Sequence, residues 1–442
     1  MRQLYSLFLY VITPFILLRL LWRSQLAPAY GKRWGERFGF VPSLSSKPSS
    51  KSPSESLPEK KPVIWVHAVS VGETMAAIGM IKEIQKQQPQ AQLVITSMTP
   101  TGSERVRSEF GDSVYHCYAP YDLPCAVKRF LGRVQPDQLI IIETEIWPNL
   151  IHYTHKAGVP IVLVNARMSR RSARGYGRVS RLARPALGKI SRVAAQYKGD
   201  GARLLKLGVP KERLKVTGSI KFDIAPSPQQ RQQAVALHEG LRIEGDRPVW
   251  VAASTHANEE RELLDAFRLL RRVYPQLLLV IAPRHPERFQ QVESLCQQEQ
   301  LRLQRRTDVE SDGVSLHVEV LLLDTMGELM PFFGAADVAF VGGSLVPRGG
   351  HNPIEPAVWG LPVLMGPSCF NFKAVVEVLK RSKGLQETAN ASELASAVQN
   401  LLDHDDLRRK RGQAALETAR ANRGALKRVL AVLGEAGIKQ AS

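Results

Sequence analysis

From residue 63 onward the chain repeats one unit: an apolar run of four to six residues with little alternation, followed by a stretch long enough for a helix. The runs are Val63 to Ala68, Leu93 to Thr96, Val114 to Tyr118, Leu139 to Ile142, Ile161 to Val164, Val193 to Tyr197 and Leu214 to Thr217. A strand covered on both faces has no polar side to display. It therefore reads as a continuous apolar run, and helix-length spacers between such runs call for a parallel sheet flanked by helices. The rhythm lapses over 223–247, where Pro226, Pro228 and a glutamine-rich stretch intervene. It resumes at Val249 to Ala253, Leu277 to Ala282, Val320 to Leu323, Val338 to Val341 and Pro362 to Met365. The expectation is an α/β chain with two Rossmann-like domains, 63–222 and 248–442, joined by a connection at 223–247. A length of 442 residues also exceeds what one ordinary core organises. Beyond Glu393 the pattern is helical, with Leu394, Val398, Leu401 and Leu402 at helical spacing. A last helix returning to the first domain is compatible with this pattern but not fixed by it.

What precedes residue 63 is of another kind. Residues 1–24 are almost wholly apolar from Leu4 to Trp22, long enough to reach across a bilayer if Arg19 snorkels. A cleaved signal peptide is the competing reading, with Ala27-Pro28-Ala29 resembling a cleavage site. Arg19 and Arg23 directly follow the apolar run, which favours a retained anchor, and with Lys32, Arg33 and Arg37 they place the main body on the cytoplasmic side. Pro14 leaves open whether this helix spans or is monotopic. Residues 25–62 form a juxtamembrane segment and a linker, because the Ser/Pro/Lys-rich stretch 42–62 has almost nothing to bury.

Charge points to an anionic partner. Sixty Lys and Arg against 41 Asp and Glu give a net +19, which suits nucleic acid, a lipid surface or a phosphorylated substrate. The four cysteines, Cys117, Cys125, Cys296 and Cys369, are widely spaced without a CxxC, so neither a zinc site nor a disulfide framework is expected.

In parallel α/β sheets ligands gather beyond the carboxyl ends of strands. The residues there are His67, Ser70, Gly72 and Glu73 in "HAVSVGE", Glu143, Glu145 and Asn149 in "ETEIWPN", and Lys221 and Asp223 in "GSIKFD". In the second domain they are His256, Glu259 and Glu260 after Ser254, Arg284, His285 and Arg288 in "APRHPERF", and Met326, Gly327 and Glu328 in "DTMGEL". Each has a plainer explanation: Glu73 and Glu260 as first-turn acids complementing a helix dipole, for example. Their common rim is what singles them out.

The stretch Gly342 to Ala357, "GGSLVPRGGHNPIEPA", reads as a loop with four glycines leading into a helix. Asn352 suits the N-cap, Pro353 the first helical position and Glu355 the third, a capping-box-like arrangement. Capping leaves Gly342, Gly343, Ser344 and Arg348 unexplained. They are expected to form a phosphate-sized loop with free backbone N–H groups and one full positive charge. Separately, no acid occurs from Ile146 to Gly199, whereas Arg170, Arg174, Arg178 and Arg181 would share one helix face, suited to an anionic acceptor or a membrane surface.

Taken in order, the N-terminal apolar segment, "WVHAVSVGE", "ETEIWPNLI", "NARMS", "TGSIKFD", "APRHPERF", "DTMGELMPFFGAADVAFVGGSLVPRGGHNPIEPA" and "PVLMGP" resemble the 3-deoxy-D-manno-octulosonic acid (Kdo) transferases of lipopolysaccharide synthesis. The resemblance runs from the anchor to about residue 375. It implies a GT-B-like fold with two Rossmann-like domains facing a cleft, and inverting transfer of Kdo from CMP-Kdo to a lipid A precursor at the cytoplasmic face of the bacterial inner membrane. It implies Glu73 as general base, assisted by Glu143 and Lys221. It also implies that Pro283, Arg284, Met326, Gly327, Glu328, Asn352, Pro353, Ile354 and Glu355 hold CMP. A single displacement needs one carboxylate on the acceptor side and an anion site for the leaving phosphate, so neither metal nor other cofactor is called for. A membrane-associated GT-B transferase using a UDP-sugar would share the glycine loop. Nucleic-acid binding fits less well: Tyr176 is the only aromatic interleaved in the arginine run, and no nucleic-acid motif is present.

Overall fold

The computed structural model describes residues 1–26, 28–44, 61–242, 244–309 and 313–437. Most of the 42–62 linker lies outside these residues. The chain divides into two compact units, Met1–Asp223 together with the stretch from Arg423 on, and Ile224–Asn422.

The first unit is built on seven parallel strands: β1 (Val63–His67), β2 (Gln92–Ser97), β3 (Tyr115–Tyr118), β4 (Gln138–Ile142), β5 (Ile161–Ala166), β6 (Arg192–Ala195) and β7 (Leu214–Val216), in the order β3-β2-β1-β4-β5-β6-β7. Their apolar runs serve both faces at once. Val63, Trp65, Leu139 and Ile141 enter one core with Phe130 and Leu150, while Ile64, Val66, Ile140 and Ile142 enter the other with Met80 and Ile81. The two-residue period of a strand sends alternate side chains to opposite faces, so both sets must be apolar.

The second core of this unit is completed from far along the chain. Ala425, Val429, Val432 and Leu433, on the helix Ala425–Gly434, pack into it. The carboxylate of Asp223 accepts from the Gly424 and Leu426 N–H groups at 2.5 and 2.6 Å, satisfying donors that a helix start leaves orphaned. This helix therefore belongs to the first unit, and the expected domain 248–442 ends earlier than its sequence range.

The second unit repeats the plan with β8 (Val249–Thr255), β9 (Leu278–Pro283), β10 (Leu303–Arg305), β11 (Val320–Leu322), β12 (Val338–Val341), β13 (Val363–Met365) and β14 (Leu385–Glu387), all parallel, in the order β10-β11-β9-β8-β12-β13-β14. The stretch 223–247 is not a bare connection. It holds the helix Pro228–Gly240, opened by a capping box between Ser227 and Gln230, with Ala234 buried where the helix packs on Leu329–Ala335.

The N-terminal helix Arg2–Leu26 is long and apolar enough to cross a membrane, with mean hydropathy 2.0 over its most apolar 18 residues. Leu4, Leu7, Phe8, Val11, Phe15, Leu18, Leu21 and Trp22 are exposed. Its first turns are tied to the first unit: Tyr5 donates to Asp122 at 2.9 Å, Arg2 to Asn149 at 3.0 Å and Ser6 to Asn149 at 3.1 Å.

Candidate active site

In the first unit the helix Val71–Gln87 starts at the carboxyl end of β1, capped by Ser70, and this sets Glu73 in its first turn. The carboxylate is buried and held on both oxygens. Oε2 accepts from the Val69 N–H at 2.7 Å and Oε1 from the Ser70 hydroxyl at 2.9 Å. Capping accounts for these bonds but not for the neighbours. Because β4 lies beside β1, the loop after β4 brings up Glu143 and Glu145. Burial, then repulsion from Glu145 and Glu143, outweighs the two hydrogen bonds and pushes Glu73 up to about 7. A carboxylate that titrates near neutrality is suited to take a proton there.

The rest of this rim has fixed tasks. Glu143 adopts a left-handed φ of 60°, uncommon for a residue with a Cβ, and pairs with Lys221 at 3.1 Å. Glu145 accepts from the Trp147 indole at 2.7 Å, and burial with the Glu143 charge raises its carboxyl as well. The Trp147 ring stands edge-on to His67 at 4.7 Å. Burial lowers His67 to about 3, so it stays neutral. Glu73, Glu143 and Lys221, expected together from the sequence, do gather on one rim. Asp122 carries no sequence signal, yet it caps the helix Pro148–Lys156 through the N–H groups of Asn149 and Leu150 at 3.1 and 2.6 Å.

The glycine loop of the second unit differs from expectation. Its N–H groups are not free: Gly343, Ser344 and Leu345 donate to the buried carboxylate of Glu259 at 2.7, 3.0 and 2.9 Å, and Gly342 donates to the Ala253 carbonyl at 2.8 Å. Glu259 fills the cradle that a phosphate was expected to fill. Gly342 is needed for that reason, because a Cβ there would stand 2.7 Å from Oε2 of Glu259 and 2.6 Å from the Ser254 carbonyl. Gly343 takes φ 67°. Gly349 and Gly350 are also committed, to Ser368 Oγ at 3.1 Å and to the Gly343 carbonyl at 2.7 Å. Glu259 was legible only as one of two acids opening a helix. The missing signal was its partner, 84 residues away. Arg288 is likewise occupied, by buried Glu260.

The cap after the loop is shifted by one residue. The helix Ile354–Ala357 has Pro353 at its N-cap, while Asn352 accepts from the Ile354 N–H at 3.1 Å and donates its amide to Glu355 at 3.1 Å. Burial raises Glu355, against the smaller opposing pull of Asn352 and of the positive charge of Arg284. Arg284 follows β9 directly, its N–H bonded to the Thr255 carbonyl at 3.0 Å. Next to it are three histidines: His256 and His351 are stacked with their Nε2 atoms 2.8 Å apart, and His285 is 5.5 Å from His256 between ring centroids. Burial first, then the neighbouring cations, hold His256 and His351 near 4 and 3. Arg348 is exposed at the loop tip. Met326 and Gly327 are exposed beyond β11, and Glu328 accepts from Thr325 at 2.9 Å and pairs with Arg306 at 3.3 Å. Because β11, β9, β8 and β12 are parallel neighbours, all these segments follow the carboxyl ends of the second sheet.

Arg170, Arg174 and Arg178 lie exposed on the helix Arg170–Arg178, whose Ala173 and Tyr176 pack inward. Arg181 does not continue that face, because the helix breaks at Val179 and Arg181 belongs to the next one, Ser180–Leu187.

The 3-deoxy-D-manno-octulosonic-acid transferase (kdotransferase) family model matches residues 32–224. A 3-deoxy-D-manno-octulosonic acid transferase of Haemophilus influenzae is 40% identical over 433 residues, covering 98% of each chain. The chain belongs to the Kdo transferase family. A second such transferase, from Bordetella pertussis, is 36% identical over 442 residues, again covering 98% of each chain. The transferase fold is that of GT-B-like proteins. MurG of Acinetobacter baumannii superposes with a TM-score of 0.55 at 12% identity, over 85% of this chain and all of that one. A glycosyltransferase from Rickettsia africae gives 0.55 at 15% identity, over 86% of this chain and all of its own. The family of this chain makes it a glycosyltransferase, and each unit holds one Rossmann-like sheet.

Proposed function

We propose that this transferase moves Kdo from CMP-Kdo to a lipid A precursor, lipid IVA, with inversion and release of CMP. The observation that carries the reading is Glu73, a buried carboxylate poised near neutrality by Glu145 and Glu143. An acceptor hydroxyl attacks the anomeric carbon of Kdo as its proton passes to Glu73. The bond from that carbon to the phosphate oxygen breaks, and its electron pair leaves with CMP. Lys221, paired with Glu143, sets a positive charge beside the reacting carboxylates. The donor falls to the second unit. There Pro283, Arg284, Met326, Gly327, Glu328, Asn352, Pro353, Ile354 and Glu355 surround CMP, with Arg284 meeting the phosphate and Glu355 the ribose hydroxyls. Arg348 adds charge at the loop tip, while the loop backbone serves as a wall shaped by Glu259 and not as an anion cradle.

The N-terminal helix would hold the enzyme at the cytoplasmic face of the inner membrane, and the exposed Arg170, Arg174 and Arg178 would face its anionic surface or the acceptor phosphates. The test supplies CMP-Kdo, generated in place, and tetraacylated lipid IVA, and follows CMP release and lipid mass for wild type and Glu73→Ala. The wild type should add Kdo, and the variant should bind CMP without transfer. A folded wild type that ignores CMP-Kdo would overturn the reading.

A further inference from the structure

A cavity of 460 Å³ lies within the first unit, between the N-terminal helix and the body of the unit. Ile16, Arg19, Leu20 and Arg23 line it from the helix, Arg37 and Met98 from the opposite wall. Arg37 is only 2% exposed, and its Nε has no hydrogen-bond partner. Its Nη2 donates to the Met98 carbonyl at 3.1 Å, and its guanidinium stands 4.1 Å from the Tyr118 ring centroid. Among the described residues no carboxylate lies within ion-pair distance of Arg19, Arg23 or Arg37. The acid on the cavity wall, Asp122, is already committed to Tyr5 and to the Asn149 and Leu150 N–H groups.

A buried guanidinium without a counter-charge is unfavourable unless a ligand provides one. Two more cations at the mouth strengthen the demand for an anion, and the apolar Ile16, Leu20 and Met98 beside them suit hydrocarbon rather than a soluble ion. Between these lining positions the same turns of the helix present Leu18, Leu21 and Trp22 exposed. The cavity also adjoins the candidate base. Met98 donates its N–H to the Val69 carbonyl at 3.1 Å, and Val69 donates to Glu73 at 2.7 Å.

We propose that this cavity seats a phosphate group of the acylated acceptor, with Arg37, Arg19 and Arg23 sharing its charge and Ile16, Leu20 and Met98 receiving the start of an acyl chain. This rests on reading the acceptor as a phosphorylated glycolipid. A bilayer phospholipid offers the same chemistry, and the experiment separates the two.

Binding of bisphosphorylated tetraacyl disaccharide and of its dephosphorylated form is measured without donor, on full-length protein in phosphatidylcholine nanodiscs. The wild type should prefer the phosphorylated lipid by about tenfold or more. Arg19→Gln and Arg23→Gln should each reduce that preference several-fold and raise the acceptor KM without changing the CMP-Kdo KM. Arg37→Gln should remove the preference. Because Arg37 is buried, the two helix variants decide the matter if this one does not fold. If the variants keep the preference, or lose only affinity for phosphatidylglycerol vesicles, the proposal fails although Kdo transfer stands. If the preference behaves as expected but no Kdo is transferred, the functional reading fails on its own.

Discussion

Glu73 and Glu259 hold matching places in the two units: each is a buried glutamate in the first turn of the helix that follows the first strand of its sheet. Their surroundings divide them. Glu73 accepts one backbone N–H and one hydroxyl and faces two other carboxylates. Glu259 accepts three N–H groups from the glycine loop and, at 3.3 Å, a fourth from His256. Burial raises both carboxyls, but at Glu259 four backbone donors pull the other way, and they favour the charged form. Both carboxyls remain raised, but carboxylate neighbours add to the rise at Glu73, whereas at Glu259 the surrounding N–H groups oppose it while Glu259 holds the loop in shape.

The largest effect should come from removing the proposed proton acceptor. Glu73→Gln is expected to lower kcat by about 10²- to 10⁴-fold with CMP affinity intact by equilibrium dialysis. In the wild type, kcat/KM should fall tenfold per pH unit below about 7, the value to which Glu73 is raised, as the base becomes protonated. A profile flat down to pH 5 would assign the base elsewhere.

Stability should respond with the opposite sign. The folded Glu73 carboxyl binds its proton up to about 7 against an ordinary value of 4.5. Folding therefore takes up a proton between those values, and this stabilising term, full below 4.5, is lost as pH rises through 7. Glu73→Gln should match wild type in thermal unfolding at pH 4 and exceed it at pH 8, by up to about 3 kcal/mol.

Glu259→Ala should do the reverse at any pH near neutrality. It orphans three loop donors, costs about 1–3 kcal/mol, and raises the KM for CMP-Kdo as the loop loses its shape. If unfolding and donor KM both stay unchanged, the comparison between the two glutamates collapses. The smallest effect is expected of Ser70→Ala, about 1 kcal/mol from the lost cap. Its pH profile should move to the alkaline side, because the hydroxyl now helps keep Glu73 ionised.

Sequence reasoning reached most of this architecture because both sheets are parallel and covered, which forces their strands into apolar runs. It missed Leu303–Arg305 and Leu385–Glu387, the two edges of the second sheet, three residues each and largely half-buried, where that force is weak. The rim could be listed from strand ends, yet the repulsion of Glu145 and Glu143 on Glu73 needed the strand order that sets β4 against β1. The glycine loop showed that something approaches closely. It did not show that the visitor is a side chain of the same protein. The run from Arg170 to Arg181 lost its continuity at Val179, which no composition or spacing announces.

The return of the helix Ala425–Gly434 to the first unit sets an order of events during synthesis. The second unit is continuous in the chain and can close its own core once Ile224–Asn422 has emerged. The first unit must wait for Ala425, Val429, Val432 and Leu433, whose larger side chains each contribute about 1.5–3 kcal/mol on burial. A ribosome halted after Asn422 would thus leave the second unit finished and the first, which bears Glu73, open, its apolar strands accessible to chaperones and proteases. An incomplete polypeptide has no finished first unit, and Glu73 has no settled surroundings.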